Sequence, residues 1–145
     1  MGTMPSLFIS HGAPTFAIEP GLAGAQLRAL GLALGIPRAV VVVSPHWMTR
    51  GVAITATDKP QTIHDFGGFP QELFDVEYPA PGNSKLANEI KADIKKTETK
   101  LDQEWGLDHG CWSVIKQMYP KADVPVLQLS MDYTKPAQWH YDLAK

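Results

Sequence analysis

The first half of the chain shows two apolar runs separated by a helical pattern. Residues 5–10 (PSLFIS) and 39–44 (AVVVVS) are short, unbroken apolar runs that end in a polar residue, which is typical of strands buried on both faces. Between them, residues 21–34 place leucines at helical spacing and stop before Gly35, which predicts a helix. Because parallel strands need a crossover of this kind, the three segments predict a right-handed βαβ unit.

The rest of the chain predicts two more strands and three more helices. The strands are expected over residues 52–57 and 124–130, and the helices over residues 84–94, 111–119 and 134–145. The stretch between residues 58 and 82 is irregular and rich in proline, and a loop of this length usually serves a function. The expected fold is an α/β single domain with a central, largely parallel or mixed sheet flanked by helices. It is expected to be truncated at the carboxyl end, where the last helical pattern has no stop signal.

Composition narrows the kind of ligand. Thirteen basic and fifteen acidic side chains give a formal net charge of −2, without the basic patch that nucleic acid or an anionic membrane would need. No apolar run approaches the ~20 residues that span a bilayer. The single cysteine and the lack of a signal-peptide pattern predict a cytoplasmic protein. We therefore expect a small-molecule ligand.

Two histidines occupy matching places in the sequence. His11 and His46 each come just after a predicted buried strand. In open α/β sheets, ligands bind beyond the carboxyl ends of the strands, so two imidazoles placed there could share a metal ion. Ser10 and Ser44, just before them, supply hydroxyls that could orient the rings. The alternative is that each histidine is a loop residue hydrogen-bonded to a neighbouring carbonyl.

The segment over residues 62–70 (TIHDFGGFP) is the second candidate. It offers Phe66 and Phe69 as walls for a flat ring, His64 as a hydrogen-bonding group and Asp65 as a neighbouring carboxylate. The alternative is a turn held by a small aromatic cluster.

Three polar or reactive residues further along have ordinary interpretations. Asp108 or His109 could cap the helix that follows as readily as contact a substrate. Cys111 shows no sign of being a nucleophile, since His109 lies two positions away and does not share its helical face. His140 is expected to be a surface or boundary residue.

Five segments, in this order and spacing, resemble the class III extradiol ring-cleavage dioxygenases, and within them the 4,5-DOPA extradiol dioxygenase branch. They are Phe8–Pro14 (FISHGAP), Val42–Trp47 (VVSPHW), Ile63–Pro70 (IHDFGGFP), Tyr78–Gly82 (YPAPG) and Asp108–Trp112 (DHGCW). The resemblance implies an enzyme that opens a catechol ring with O₂ at one divalent metal ion, Fe(II) or Zn(II). It implies that His11 and His46 are metal ligands. It also implies that His64 and His109 line the substrate pocket and act as catalytic residues.

The resemblance also implies that something is missing. Family members continue past the position that matches residue 145, and the remaining part carries the acid/base histidine and a further metal ligand. Residues 1–145 are therefore expected to be the amino-terminal part of the catalytic domain. As an isolated chain it is expected to be inactive or to depend on a complementing carboxyl-terminal half. Since truncation would leave an apolar edge open, a homo-oligomer is also expected. Two alternatives remain: a non-catalytic metal-binding remnant or interaction module, and a metallohydrolase that consumes no O₂.

Overall fold

Short strands and helices alternate along the computed structural model, which describes residues 2–145. The α-helices in this range are α1 (Gly21–Leu34), α2 (Gln71–Phe74), α3 (Ser84–Asp93), α4 (His109–Met118) and α5 (Ala137–Leu143), and a 3₁₀ turn (Pro14–Ala17) precedes α1. The strands are β1 (Val40–Val42), β2 (Met48–Thr49), β3 (Val52–Thr55), β4 (Thr99–Asp102), β5 (Val126–Gln128) and β6 (Met131–Asp132).

The strands form three parallel pairs. β1 pairs with β5, β2 with β6 and β3 with β4, and the register of the first pair sets Val40 opposite Val126. An antiparallel bridge between Ile54 and Leu129 joins β3 to the residues that follow β5. The α/β class and the largely parallel strand pairing predicted from the sequence are therefore confirmed.

The first predicted strand is wrong, and with it the βαβ unit. Residues 5–10 form no strand, and β1 takes β5 as its parallel partner. No main-chain to main-chain hydrogen bond joins residues 2–11 to any other described residue. Phe8 is fully exposed, and within the run Ile9 packs against the core. An apolar run shows that a segment is hydrophobic, but it does not show that a neighbouring strand is there to pair with it.

Helix α4 is the centre of the main core. The predicted stripe of Trp112, Ile115 and Met118 is buried, as expected. The helix begins at His109, two residues earlier than predicted, because the Asp108 side chain accepts a hydrogen bond from the Cys111 amide at 3.2 Å. Helix α1 crosses α4 where Gly31 meets the main chain of Met118, a contact that leaves no room for a Cβ atom.

The remaining differences arise from long-range pairing. The third predicted strand is shorter than expected, and Val52–Thr55 is buried on both faces rather than alternately. Strand β4 was not predicted, because its sequence TKLD is half charged and becomes a strand by pairing with β3. Asn83 caps α3 by accepting a hydrogen bond from the Leu86 amide at 2.9 Å. Among the described helices, none is long and apolar enough to cross a membrane.

Candidate metal centre

Three histidine rings converge at the end of β1. His11, His46 and His109 each offer one potential ligand atom, and these atoms lie within 4.8 Å of one another. The Nε2 atoms of His11 and His46 are 3.1 Å apart. The ring of His109 has its centroid 4.1 Å from that of His46 and 5.2 Å from that of His11. The structure therefore brings the two histidines predicted as ligands together and adds His109 to them.

A buried polar network holds two of these rings. The Asp108 carboxylate accepts a hydrogen bond from Ser44 Oγ at 2.7 Å and from Gln128 Nε2 at 2.8 Å, and the Asp108 amide donates to Gln128 Oε1 at 2.9 Å. Ser44 Oγ in turn accepts from the His46 amide at 3.2 Å. This network, made by Ser44, Asp108 and Gln128, ties the loop after β1 and the end of β5 to the start of α4. His46 and His109 are thereby fixed relative to each other.

Sequence reasoning anticipated two members of this network and missed the third. Ser44 was expected to orient His46 and Asp108 to cap a helix, and both contacts are present. Gln128 was overlooked, although it is fully buried. The available signal was an amide side chain inside the apolar run VLQLS, because a buried polar group needs a hydrogen-bonding partner.

Asp65 contacts the histidines directly. Its Oδ1 accepts a hydrogen bond from the His109 amide at 2.9 Å and lies 2.9 Å from His109 Nδ1, outside hydrogen-bond alignment. Its Oδ2 lies 4.0 Å from His46 Nδ1. Proteins commonly orient a histidine ligand by a hydrogen bond from its second ring nitrogen to a carboxylate. Asp65 thus holds the main chain of His109 at the start of α4 and lies beside both rings, while a direct contact with substrate stays a prediction.

The aromatic segment forms a wall next to the histidines. Phe66 lies edge-on to His109 with 5.6 Å between ring centroids, and Phe69 lies 5.6 Å from Phe66. Trp112 Nε1 donates to the carbonyl of Ile63 at 2.8 Å and anchors this loop to α4. The aromatic cluster weighed from the sequence is therefore present, and the use of Phe66 and Phe69 as walls for a flat ring stays a prediction.

His64 packs against Phe66 and does not contact the three converging histidines. Its centroid is 6.0 Å from that of Phe66, and its Nε2 contacts the carbonyl of Val76 at 2.8 Å. It is outside the group of three histidines whose ligand atoms converge. Its catalytic role stays a prediction.

Two other candidates have the ordinary roles expected of them. His140 Nε2 accepts a hydrogen bond from the Asp132 amide at 3.0 Å and belongs to the contact between α5 and β6. Cys111 is fully buried, and burial raises the pKa of its thiol, which opposes a role as a nucleophile.

The converging imidazoles fit a divalent cation. Two nitrogens bound to one ion at ~2.1 Å stand about 3.0–3.4 Å apart, which agrees with the 3.1 Å between His11 Nε2 and His46 Nε2. Burial, together with the nearby rings of His109 and His46, lowers the pKa of His11, which favours the neutral imidazole that metals require.

Gly110 makes the close approach of α4 to the His46 loop possible. A Cβ atom there would lie 2.7 Å from Ser44 Oγ and 2.9 Å from His46 Cδ2, both closer than real Cβ contacts allow. We expect Gly110→Ala to displace the His46 ring, to weaken Zn(II) binding at least about tenfold and to cost about 1–3 kcal/mol of stability. Calorimetric titration and urea unfolding measure these effects.

The matched control for that variant is Gly67→Ala, in the aromatic segment, where an added Cβ meets nothing within 4 Å. It is expected to leave Zn(II) affinity unchanged. Equal affinities for Gly110→Ala and wild type would show that the His46 ring does not depend on this contact.

Known proteins resemble the chain along nearly its whole length. The family model described as the catalytic LigB subunit of aromatic ring-opening dioxygenase matches residues 7–144. The 4,5-DOPA dioxygenase extradiol of Escherichia coli K12 is 49% identical over 143 residues, which cover 98% of this chain and 53% of that protein. The protein of the same name from Beta vulgaris is 37% identical, with 97% of this chain and 54% of that protein covered.

A solved structure shows the same likeness. The crystal structure of the uncharacterized protein JW3007 from Escherichia coli K12 superposes with a TM-score of 0.68 at 41% identity, covering 84% of this chain and 45% of that chain. Sequence and fold together identify the family. The chain belongs to the family of the catalytic LigB subunit, and it spans about half the length of the curated relatives it matches.

Proposed function

We propose that this chain forms the metal-binding part of an extradiol dioxygenase that opens a catechol ring with O₂. L-DOPA is the catechol that should be tested first. The observation that carries the proposal is the convergence of His11, His46 and His109 at the end of β1 in a chain of this family. The names of the relatives from Escherichia coli and Beta vulgaris support L-DOPA as the catechol.

In this proposal His11 and His46 hold the metal ion, which is Fe(II) or Zn(II). His109 offers a further nitrogen within 4.8 Å of theirs. When bound, a divalent ion supplies Lewis acidity for a catechol hydroxyl and coordination positions at which the diol and O₂ meet. Asp65 and the network of Ser44, Asp108 and Gln128 keep the rings in place, which is the preorganisation that such chemistry needs.

The aromatic wall serves the substrate. Phe66 stands edge-on to His109, so a flat ring that reaches the histidines lies against Phe66 and, beyond it, Phe69. Both phenyl groups exclude water from that side of the site. We assign to His109 a hydrogen bond to the bound diol, and to His64 a second polar contact at the outer end of the wall.

The isolated chain is expected to be a poor catalyst. Positioned acid/base groups are commonly worth ~10²–10⁴ in rate, and in this proposal the acid/base histidine belongs to the half of the relatives' length that this chain does not cover. We expect turnover of L-DOPA by this chain with Fe(II) to be at least about 10²-fold slower than that of the Escherichia coli relative. Yellow semialdehyde formation and O₂ uptake measure it. A rate within tenfold of the relative would contradict the assignment of missing groups.

Complementation tests the proposed function itself. Adding the carboxyl-terminal polypeptide of the Escherichia coli relative, beginning after the region that matches this chain, is expected to restore O₂-dependent ring opening. The same mixture with His46→Ala is expected to stay inactive. Binding of metal and polypeptide without any O₂ uptake would favour a non-catalytic module, and ester hydrolysis without O₂ uptake would favour a metallohydrolase.

A further inference from the structure

An apolar groove runs along the open edge of β1. It has a volume of about 930 Å³, and its lining includes two stretches of chain, residues 4–12 and residues 39–43. Val114, Ile115 and Met118 of α4 also line it. His11 and Gly110 also line it, so it reaches the histidine cluster.

Both sides of the groove carry unpaired main chain. Val40 donates from its amide to Pro125 and Val42 accepts at its carbonyl from Leu129, each at 2.9 Å. Because main-chain groups of a strand alternate in direction, the amide and carbonyl of Val41 point away from β5 and into the groove. On the opposite side, residues 4–11 make no main-chain to main-chain hydrogen bond to any described residue. Such an edge is a template for an added strand.

One face of strand β1 is also left uncovered by the rest of the described chain. Val41 is 44% exposed and Val43 is 53% exposed on the same side of the strand, and Phe8 is fully exposed. Strands in parallel sheets are normally covered on both faces. The side chains of Val40 and Val42 pack against the core, so the opposite face is the one that lacks a layer.

We propose that this groove is a strand-addition site for the carboxyl-terminal half of the full-length relatives. An extended segment of that half would lie between residues 4–11 and β1, and the layer attached to it would cover Phe8, Val41 and Val43. The choice of partner rests on length, since this chain accounts for about half of each curated relative. A small ligand is disfavoured, because it would leave the main-chain groups along both sides unpaired.

The inference rests on the family and not on the chemistry of the proposed function. The experiment therefore measures binding. The tagged 145-residue chain is co-expressed with the carboxyl-terminal polypeptide of the Escherichia coli relative, and the polypeptide that co-purifies is quantified. Repeating the purification with a chelator separates the two proposals, because strand addition needs no metal ion.

Two variants block the site in different ways. Val41→Pro removes the amide that points into the groove, a change that edge strands tolerate, and its control Val41→Thr keeps that amide. Phe8→Asp places a charge on the bare face, and its control is Leu32→Asp on α1, at a residue 78% exposed and outside the groove lining. Urea unfolding of each variant checks that the chain is still folded.

The wild-type chain is expected to capture the polypeptide in about equal amounts. Val41→Pro and Phe8→Asp should each reduce capture at least tenfold, while Val41→Thr and Leu32→Asp stay within twofold. The proposal is overturned if the wild type captures nothing, or if both blocking variants capture as much as the wild type. It is also overturned if the chain alone forms a dimer that Val41→Pro dissociates, because the occupant would then be a second copy.

Discussion

Replacing either His11 or His46 by alanine is expected to abolish stoichiometric binding of a divalent ion. Their Nε2 atoms are 3.1 Å apart, and each supplies one of the few ligands that this chain offers. Changing only a residue behind a ligand typically costs 10–100-fold in metal affinity. Removing a ligand should therefore cost at least about 100-fold. Titration with Zn(II) or Co(II) by calorimetry, and the visible spectrum of bound Co(II), measure the loss.

The control for this prediction is His140→Gln. His140 is engaged with the Asp132 amide and the Pro136 carbonyl and lies outside the converging group. Its replacement is expected to change metal affinity less than twofold. If His11→Ala and His140→Gln bound metal equally well, the converging rings would not be the binding site.

Asp108→Asn is expected to destabilise the chain by about 2–3 kcal/mol. The Asp108 carboxylate is fully buried and accepts hydrogen bonds from Ser44 Oγ, Gln128 Nε2 and the Cys111 amide. An asparagine has the same shape but must point an NH₂ group at one of these donors, whichever way its amide is turned. A buried donor without an acceptor costs about 1–3 kcal/mol. Urea unfolding measures the difference.

A second substitution should rescue that variant. In Asp108→Asn combined with Gln128→Glu, the asparagine NH₂ faces a carboxylate oxygen of residue 128, and the other oxygen still accepts from the amide of residue 108. The pair keeps one charge and all its hydrogen bonds, so at least half of the lost stability should return. Failure of the double variant to recover any stability would show that the negative charge at residue 108 itself is required, rather than the hydrogen-bond pattern.

Local patterns predicted the longer helices well and missed only the four-residue α2, which lies in the stretch predicted to be irregular. The leucine spacing of α1 and the stripe of α4 depend on residues three or four apart, so the sequence alone contains the needed information. Strand pairing is a long-range property, which is why residues 5–10 were wrongly predicted as a strand and β4 was missed. A polar segment such as β4 becomes a strand only when a neighbour offers its edge.

The candidate site was predictable to a similar extent. His11 and His46 were singled out because residues after apolar runs meet at one end of a sheet, and the rings do converge even though the first run is not a strand. His109 joins them because α4 begins at His109 with Asp108 as its cap, and the sequence left the position of this cap open. The apolar run around Gln128 indicates that its amide needs a buried partner, but no local pattern shows that this partner is Asp108, 20 residues away in sequence.

A crystal structure of the chain with bound Co(II), located by its anomalous scattering, tests the central claim most directly. The account predicts one ion within ~2.0–2.3 Å of a nitrogen of His11 and a nitrogen of His46, on the side that His109 faces. An ion bound elsewhere, or held by only one of these two histidines, would contradict it.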